Sequence, residues 1–368
     1  MRNIILISTV VFMTISCVNK DPFKGSEMVC SEIDSLFTSQ YPSNEPGVSV
    51  LVMKEDSVIF AKGYGVADLT TGITADDNTF YNIASVSKQF SAVAIMMLAE
   101  EGKLSLDDNL KKWFPNFKAD FFNDITLRHL LSHTSGIPDS RDRTNKEFVT
   151  KAKDIESYSY IENLEKLNFL PGASYEYMNP TFQLLFTIIE KASGDSFEHF
   201  MSERIFKPSG MEETLYFEEG RFIPRMAKGY LQNKESEVFE EYDYGEESFF
   251  ATKADGGIYT SVREFVKWEK ALRNNTLISN VMLNEAQSPK IAIAEMKDNS
   301  YGYGWFIEER GDYPVKIYHT GDNGGFQIYA ARYPEQKILI LFFSNRNDRK
   351  REENAALVDG ILKRANWL

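Results

Sequence analysis

The sequence predicts an α+β fold, an α/β sandwich in which a mainly antiparallel sheet built from both chain ends is flanked by helices and carries an inserted helical region. Two observations predict it. β-rich runs gather towards both ends of the chain, whereas residues 85–274 read mostly as helices and long loops. The turns between successive β-rich runs are tight, which suits antiparallel pairing and leaves no room for crossovers.

In chain order, Arg2 precedes an apolar run over residues 4–15. A run of about a dozen residues is too short to span a bilayer but has the length of a signal-peptide apolar region. Ser16 then stands directly before Cys17, an arrangement that resembles a bacterial lipoprotein processing site. The expectation is a lipoprotein-type signal peptide over residues 1–16, a lipidated Cys17, and a tether over 17–26. A single folded domain over 27–368 would then be anchored in the cell envelope, facing the periplasm or the outer surface. Thr14 stands where such sites usually have leucine, so plain secretion stays open. With Cys17 lipidated, Cys30 has no disulfide partner, since the chain has only 2 cysteines.

Val29, Ile33 and Leu36 recur at helical spacing and predict a helix over 27–39, with Cys30 as a packing residue. Residues 47–53 and 57–61 flank Lys54-Glu55-Asp56 as a hairpin. Later strands are predicted over 302–309, 315–319, 327–332 and 337–343. The stretch 338–343 is apolar at every position, as a strand covered on both faces would be. A helix over 352–364 closes the chain.

Composition excludes several functions. Lys plus Arg is 41 against 54 Asp plus Glu, a formal charge of -13, which repels a phosphate backbone and argues against a nucleic-acid partner. Two cysteines build neither a disulfide framework nor a four-cysteine zinc site. Four histidines leave little for a multi-metal centre. A small-molecule or peptide substrate remains.

Ser85-Val86-Ser87-Lys88 is the only Ser-x-x-Lys in the chain. Phe90, Val93, Ala94, Met97 and Leu98 form a helical apolar face after it, and Gly102 stands where that helix would stop. Ser85 then lies at a helix start with Lys88 one turn on, about 5–6 Å away between Cβ atoms. The helix dipole favours developing negative charge there, and a desolvated lysine can accept a proton. The blander alternative is a serine cap beside a solvated lysine. Tyr177-Met178-Asn179 follows the turn Pro171-Gly172 and precedes Pro180, which opens a helix carrying Phe182, Leu185, Phe186 and Ile189. Asn179 alone could be a cap and Tyr177 a core aromatic. Beside an ammonium, however, the phenol could be held partly ionised and relay protons. His319-Thr320-Gly321 ends a predicted strand before Asp322-Asn323-Gly324-Gly325, a strand edge that a substrate can approach closely, or else a plain hairpin turn.

Taken together, these strings resemble the serine β-lactamase-like superfamily, in the branch of class C β-lactamases, D-alanyl-D-alanine carboxypeptidases and related esterases and amidases. The resemblance covers residues 47–345 and includes Ile83-Ala84-Ser85-Val86-Ser87-Lys88-Gln89 and Leu130-Leu131-Ser132-His133-Thr134-Ser135-Gly136. It continues through Tyr177-Met178-Asn179 and Gly256-Gly257-Ile258-Tyr259-Thr260-Ser261 to His319-Thr320-Gly321. It implies a β-lactamase/transpeptidase-like fold. It implies Ser85 as acylated nucleophile, Lys88 as its electrostatic partner or base, Tyr177 as proton shuttle, and Asn179 as a contact to Lys88 and the substrate amide. His319, Thr320 and Gly321 would flank the substrate, and the backbone N–H groups of Ser85 and Asp322 would form the oxyanion hole. His133, four residues after His129, is expected to shape the floor of the site rather than to hold a metal.

His319 stands where many relatives have lysine, and a neutral imidazole grips a carboxylate poorly, which leaves room for ester, amide or D-peptide substrates. The expected function is that of a serine hydrolase working through an acyl-enzyme on a small amide, ester or D-amino-acid peptide. The rival is a penicillin-binding-type sensor or binding module that acylates or binds cell-wall fragments without efficient turnover. A metallohydrolase is a distant third.

Overall fold

Leu339, Leu341 and Phe343 of the last long strand enter one apolar cluster, while Ile338, Ile340 and Phe342 enter another on the opposite face. That two-sided burial is why the run carries no polar alternation. The computed structural model describes residues 23–141, 144, 145, 148, 151–216, 223–242, 252–348 and 350–368. The expected signal peptide, Cys17 and residues 243–247 of an acidic stretch beginning at Glu235 lie outside the described residues.

The principal sheet is formed by β1 (Val48–Lys54), β2 (Ser57–Tyr64), β3 (Ile291–Ala292), β4 (Asn299–Tyr301), β5 (Phe306–Glu308), β6 (Lys316–Asn323), β7 (Phe326–Tyr333) and β8 (Ile338–Ser344). Its order is β3-β4-β5-β6-β7-β8-β1-β2, with every neighbouring pair antiparallel. Both chain ends therefore meet in the interior of one sheet, with Val48 opposite Ser344 and Lys54 opposite Ile338. The strand expected over 302–309 is instead the pair β4–β5 around a turn in which Gly304 adopts φ +86°. A left-handed residue there favours glycine. The middle of the chain also holds short strands that the helix-and-loop expectation omitted, among them Tyr230–Gln232 and Ile258–Thr260.

Helix α1 (Ser26–Gln40) buries Val29, Ile33 and Phe37, with the Phe37 ring 5.1 Å from Phe342. Cys30 is half-buried, and its thiol donates to Ile59 O, as a packing role requires. Helix α2 (Lys88–Glu100) is buried on nearly every side, as a helix that is apolar all round must be. It ends before Gly102 at φ +70°. Helix α3 (Asn179–Ser193) starts with Pro180 in its first turn and stops at Gly194 in the left-handed conformation. Helix α4 (Val262–Arg273) is capped by Ser261, whose Oγ accepts from Glu264 N, and lies against β1 and β8. Helix α5 (Arg351–Arg364) packs with α1 and β7 on the other face.

Candidate active site

The peptide that delivers Ser85 is held by its neighbours rather than by its own helix. Residues Ala84–Ser87 form a single tight turn before α2. Ala84 adopts φ 47°, a conformation that costs a residue with a side chain about 1–2 kcal/mol. The Asn82 side chain compensates: Oδ1 accepts from Ala84 N at 2.8 Å and Nδ2 donates to Gly256 O at 3.2 Å. From the other side β6 presses in. A Cβ on Gly321 would lie 2.4 Å from Ile83 O, so only glycine lets the strand edge lie against this turn.

Lys88 follows one turn later. Its Nζ donates to Ser85 Oγ at 2.9 Å and to the carbonyl of Asp255 at 2.8 Å. The side chain is fully buried, and this desolvation pulls its pKa down to about 8; the nearby Asp255 opposes the shift and Arg141 adds to it. A neutral amine is therefore accessible close to neutral pH. Asp255 sits in a braced loop, where its Oδ2 accepts from Gln183 Nε2 at 3.2 Å. Just before it, Asp154 receives Lys253 N and Ala254 N.

Tyr177 and Asn179 come from the strand-like segment entering α3. The Lys88 ammonium lies 5.1 Å from the centre of the Tyr177 ring. Its effect on the phenol is not the one expected from sequence. Burial raises the Tyr177 pKa well above the usual phenol value, Ser85 opposes the rise only in part, and Tyr175, Asp255 and Asp322 add to it. The resting phenol is protonated, because desolvation of the hydroxyl outweighs an ammonium placed over the ring. Tyr177 Oη faces Ser85 without a well-formed hydrogen bond, and Asn179 Oδ1 is buried with no partner among the described residues. Unpaired buried polar atoms are uncommon, and Asn179 Oδ1 at this cavity marks a place suited to receive a polar group. Asn179 is the first residue of α3 rather than its cap, so its amide is free for such a role.

His133 clamps this segment. At φ 56° its carbonyl accepts from Glu176 N and its Nδ1 accepts from Met178 N at 3.2 Å, with its ring 4.3 Å from that of Tyr177. Burial, then Lys88 and His319, hold its pKa well below the usual value, so it is neutral. His129 Nδ1 accepts from Thr126 N at 3.1 Å, a helix-capping contact of its own. Each histidine thus has a separate structural task.

On β6, His319 is buried, with Nε2 2.9 Å from Tyr301 Oη and Nδ1 2.6 Å from Thr320 O. Desolvation, followed by Lys88, takes its pKa down to about 3, and it carries no charge at pH 7. Ser85, Tyr177, Asn179, His319, Thr320 and Asp322 all line one cavity of about 400 Å³. Gly321 contributes to it by the close approach described above. The structure thus brings together the residues that sequence singled out from three separate stretches. Sequence reasoning missed Asn82, the Asp255 carbonyl and Phe306; Asp255 directly precedes the Gly256-Gly257 string, which was the one available signal.

A serine at a strained turn, a buried lysine against it and a strand edge beside it define a site of serine-hydrolase type on a helix-flanked antiparallel sheet. The chain belongs to the β-lactamase family, whose model matches residues 37–363. It is 27% identical over 348 residues to penicillin-binding protein 4* of Bacillus subtilis (strain 168), covering 91% of this chain and 75% of that protein. The crystal structure of a penicillin-binding protein from Bacillus halodurans superposes with a TM-score of 0.77 at 25% identity, over 91% of this chain and 98% of the other. The D-amino acid amidase of Ochrobactrum anthropi SV3 shares the fold, with a TM-score of 0.73 at 21% identity over 92% of this chain and 99% of the other.

Proposed function

We propose that the protein hydrolyses a small amide, ester or D-amino-acid peptide through an acyl-enzyme on Ser85. The observation that carries this is the 2.9 Å contact between Ser85 Oγ and a buried Lys88 whose pKa is about 8. Lys88 in its neutral form accepts the Ser85 proton as Oγ attacks the substrate carbonyl. The carbonyl oxygen gathers negative charge between the backbone N–H groups of Ser85 and Asp322. The protonated Tyr177 donates to the leaving group and regains a proton from the water that attacks the acyl group, while Lys88 returns its proton to Ser85 Oγ as that group departs. Asn179 orients the substrate amide. Similarity to penicillin-binding protein 4* and a fold shared with a D-amino acid amidase support a reaction at a small amide or related carbonyl. For the N-terminus, residues 1–17 support a lipid anchor on Cys17 and a place in the cell envelope.

Intact-mass spectrometry after exposure to β-lactams, p-nitrophenyl esters and D-alanyl-D-alanine peptides tests the assignment. A mass increment on the wild-type chain that is absent from Ser85→Ala is expected. The same increment on the variant would reject Ser85. An increment that forms and never decays would instead identify the binding-module alternative.

A further inference from the structure

Among the described residues that line the cavity there is no Lys or Arg, but there are two carboxylates, Asp139 and Asp322. They differ in how they are neutralised. Asp139 is closed by Arg141 in a two-point ion pair, with Nε–Oδ1 and Nη2–Oδ2 both 2.8 Å and side chains only 13% and 11% exposed. That pair presents little net charge. Asp322 is 51% exposed and meets Arg351 Nη1 at 2.7 Å. The same guanidinium, only 10% exposed, also donates from Nε to Glu352 Oε1 at 2.9 Å. One cation is therefore shared by two acids, so this group of three, at the rim of the cavity along β6, carries one net negative charge. Thr320 and Asp322 are two apart on a strand and share a face, so the charge stands beside the edge that would flank the substrate. His319, the nearest basic side chain on that strand, is neutral.

We propose that Asp322 is a specificity-determining residue: with Glu352 it saturates Arg351, so the site accepts esters and amides whose portion along β6 bears no carboxylate and discriminates against those that bear one. This rests on the acylation of Ser85 proposed above. β-lactams and peptides ending in a D-amino-acid carboxylate fall in the disfavoured class. An uncompensated charge roughly 6 Å from a substrate carboxylate, at a dielectric between those of protein surface and water, alters affinity by about tenfold.

The test is the ratio of kcat/KM for an uncharged phenyl ester to that for the same ester carrying a meta-carboxylate on its leaving group. The wild-type protein should favour the uncharged ester. Asp322→Asn keeps the backbone N–H and should shrink that preference about tenfold, whereas Asp322→Glu should keep it. Glu352→Gln, which lies outside the cavity lining, should shrink it in the same direction by releasing Arg351. At 1 M salt, where screening acts within about 3 Å, the wild-type and Asp322→Asn ratios should converge. A merely structural role for Asp322 would slow both esters equally and leave the ratio and its salt dependence unmoved, which would overturn the inference while sparing the serine-hydrolase reading. If no ester acylates Ser85 in the wild-type protein, the reading and the inference fall together.

Discussion

At the scale of single residues, burial moves Lys88 and Tyr177 in opposite directions. Burial acts on both, but it favours the uncharged form of each, lowering the lysine and raising the phenol. In the proposed reaction the free amine is thus the base accessible near pH 7, and the phenol is the acid. Below its pKa the amine is protonated, so kcat/KM for acylation should fall about tenfold per pH unit below a limb near 8 and level off above it. Tyr177→Phe should lower kcat by about 10²–10⁴ and leave that limb in place. A pH–rate profile of both proteins checks this, and a limb that vanishes with the phenol would make Tyr177 the base. The expected phenolate failed because a sequence gives the neighbours of a hydroxyl but not its desolvation. The pairing of Ser85 with Lys88 was legible because residues three apart face the same way along a helical turn, here the turn Ala84–Ser87 leading into α2. The Asp255 carbonyl was not, since any residue type can supply a backbone oxygen.

At the scale of elements, the contact between β6 and the turn before α2 couples sheet geometry to Ser85, the proposed nucleophile. Gly321 is its hinge of fit, with Ile83 O and Ala84 Cβ both inside the space that a methyl group would need. Gly321→Ala should cost about 1–3 kcal/mol in stability through overpacking and should slow acylation, because relief comes only by moving β6 or Ser85. Gly311→Ala, where a Cβ meets nothing within 4 Å, is the matched control. Urea unfolding and adduct-formation rates on the two variants separate them, and equal behaviour would remove the role of this contact. The long strands were readable because their apolar alternation or continuity reports burial directly. The short strands Tyr230–Gln232 and Ile258–Thr260 were not, since a few residues carry no period to read.

At the scale of the whole molecule, the proposed anchor predicts where the protein resides. Cys17→Ser should move it from the membrane fraction to the soluble fraction or leave the precursor uncleaved. Unchanged fractionation and processing would favour plain secretion. The described portion starts at α1, which packs on α5 beside the last strands, so a tether would leave from the face formed by the two terminal helices. The position of β1 has a further consequence for the order of events during synthesis. Because β1 lies between β2 and β8, the hairpin made first emerges with an unpaired edge that only residues near the end of the chain can cover. A chain leaving the ribosome, or threading through a translocation pore, cannot lock its central sheet until residues 338–344 are free, so it stays passable until then and its exposed edge needs shielding for just as long.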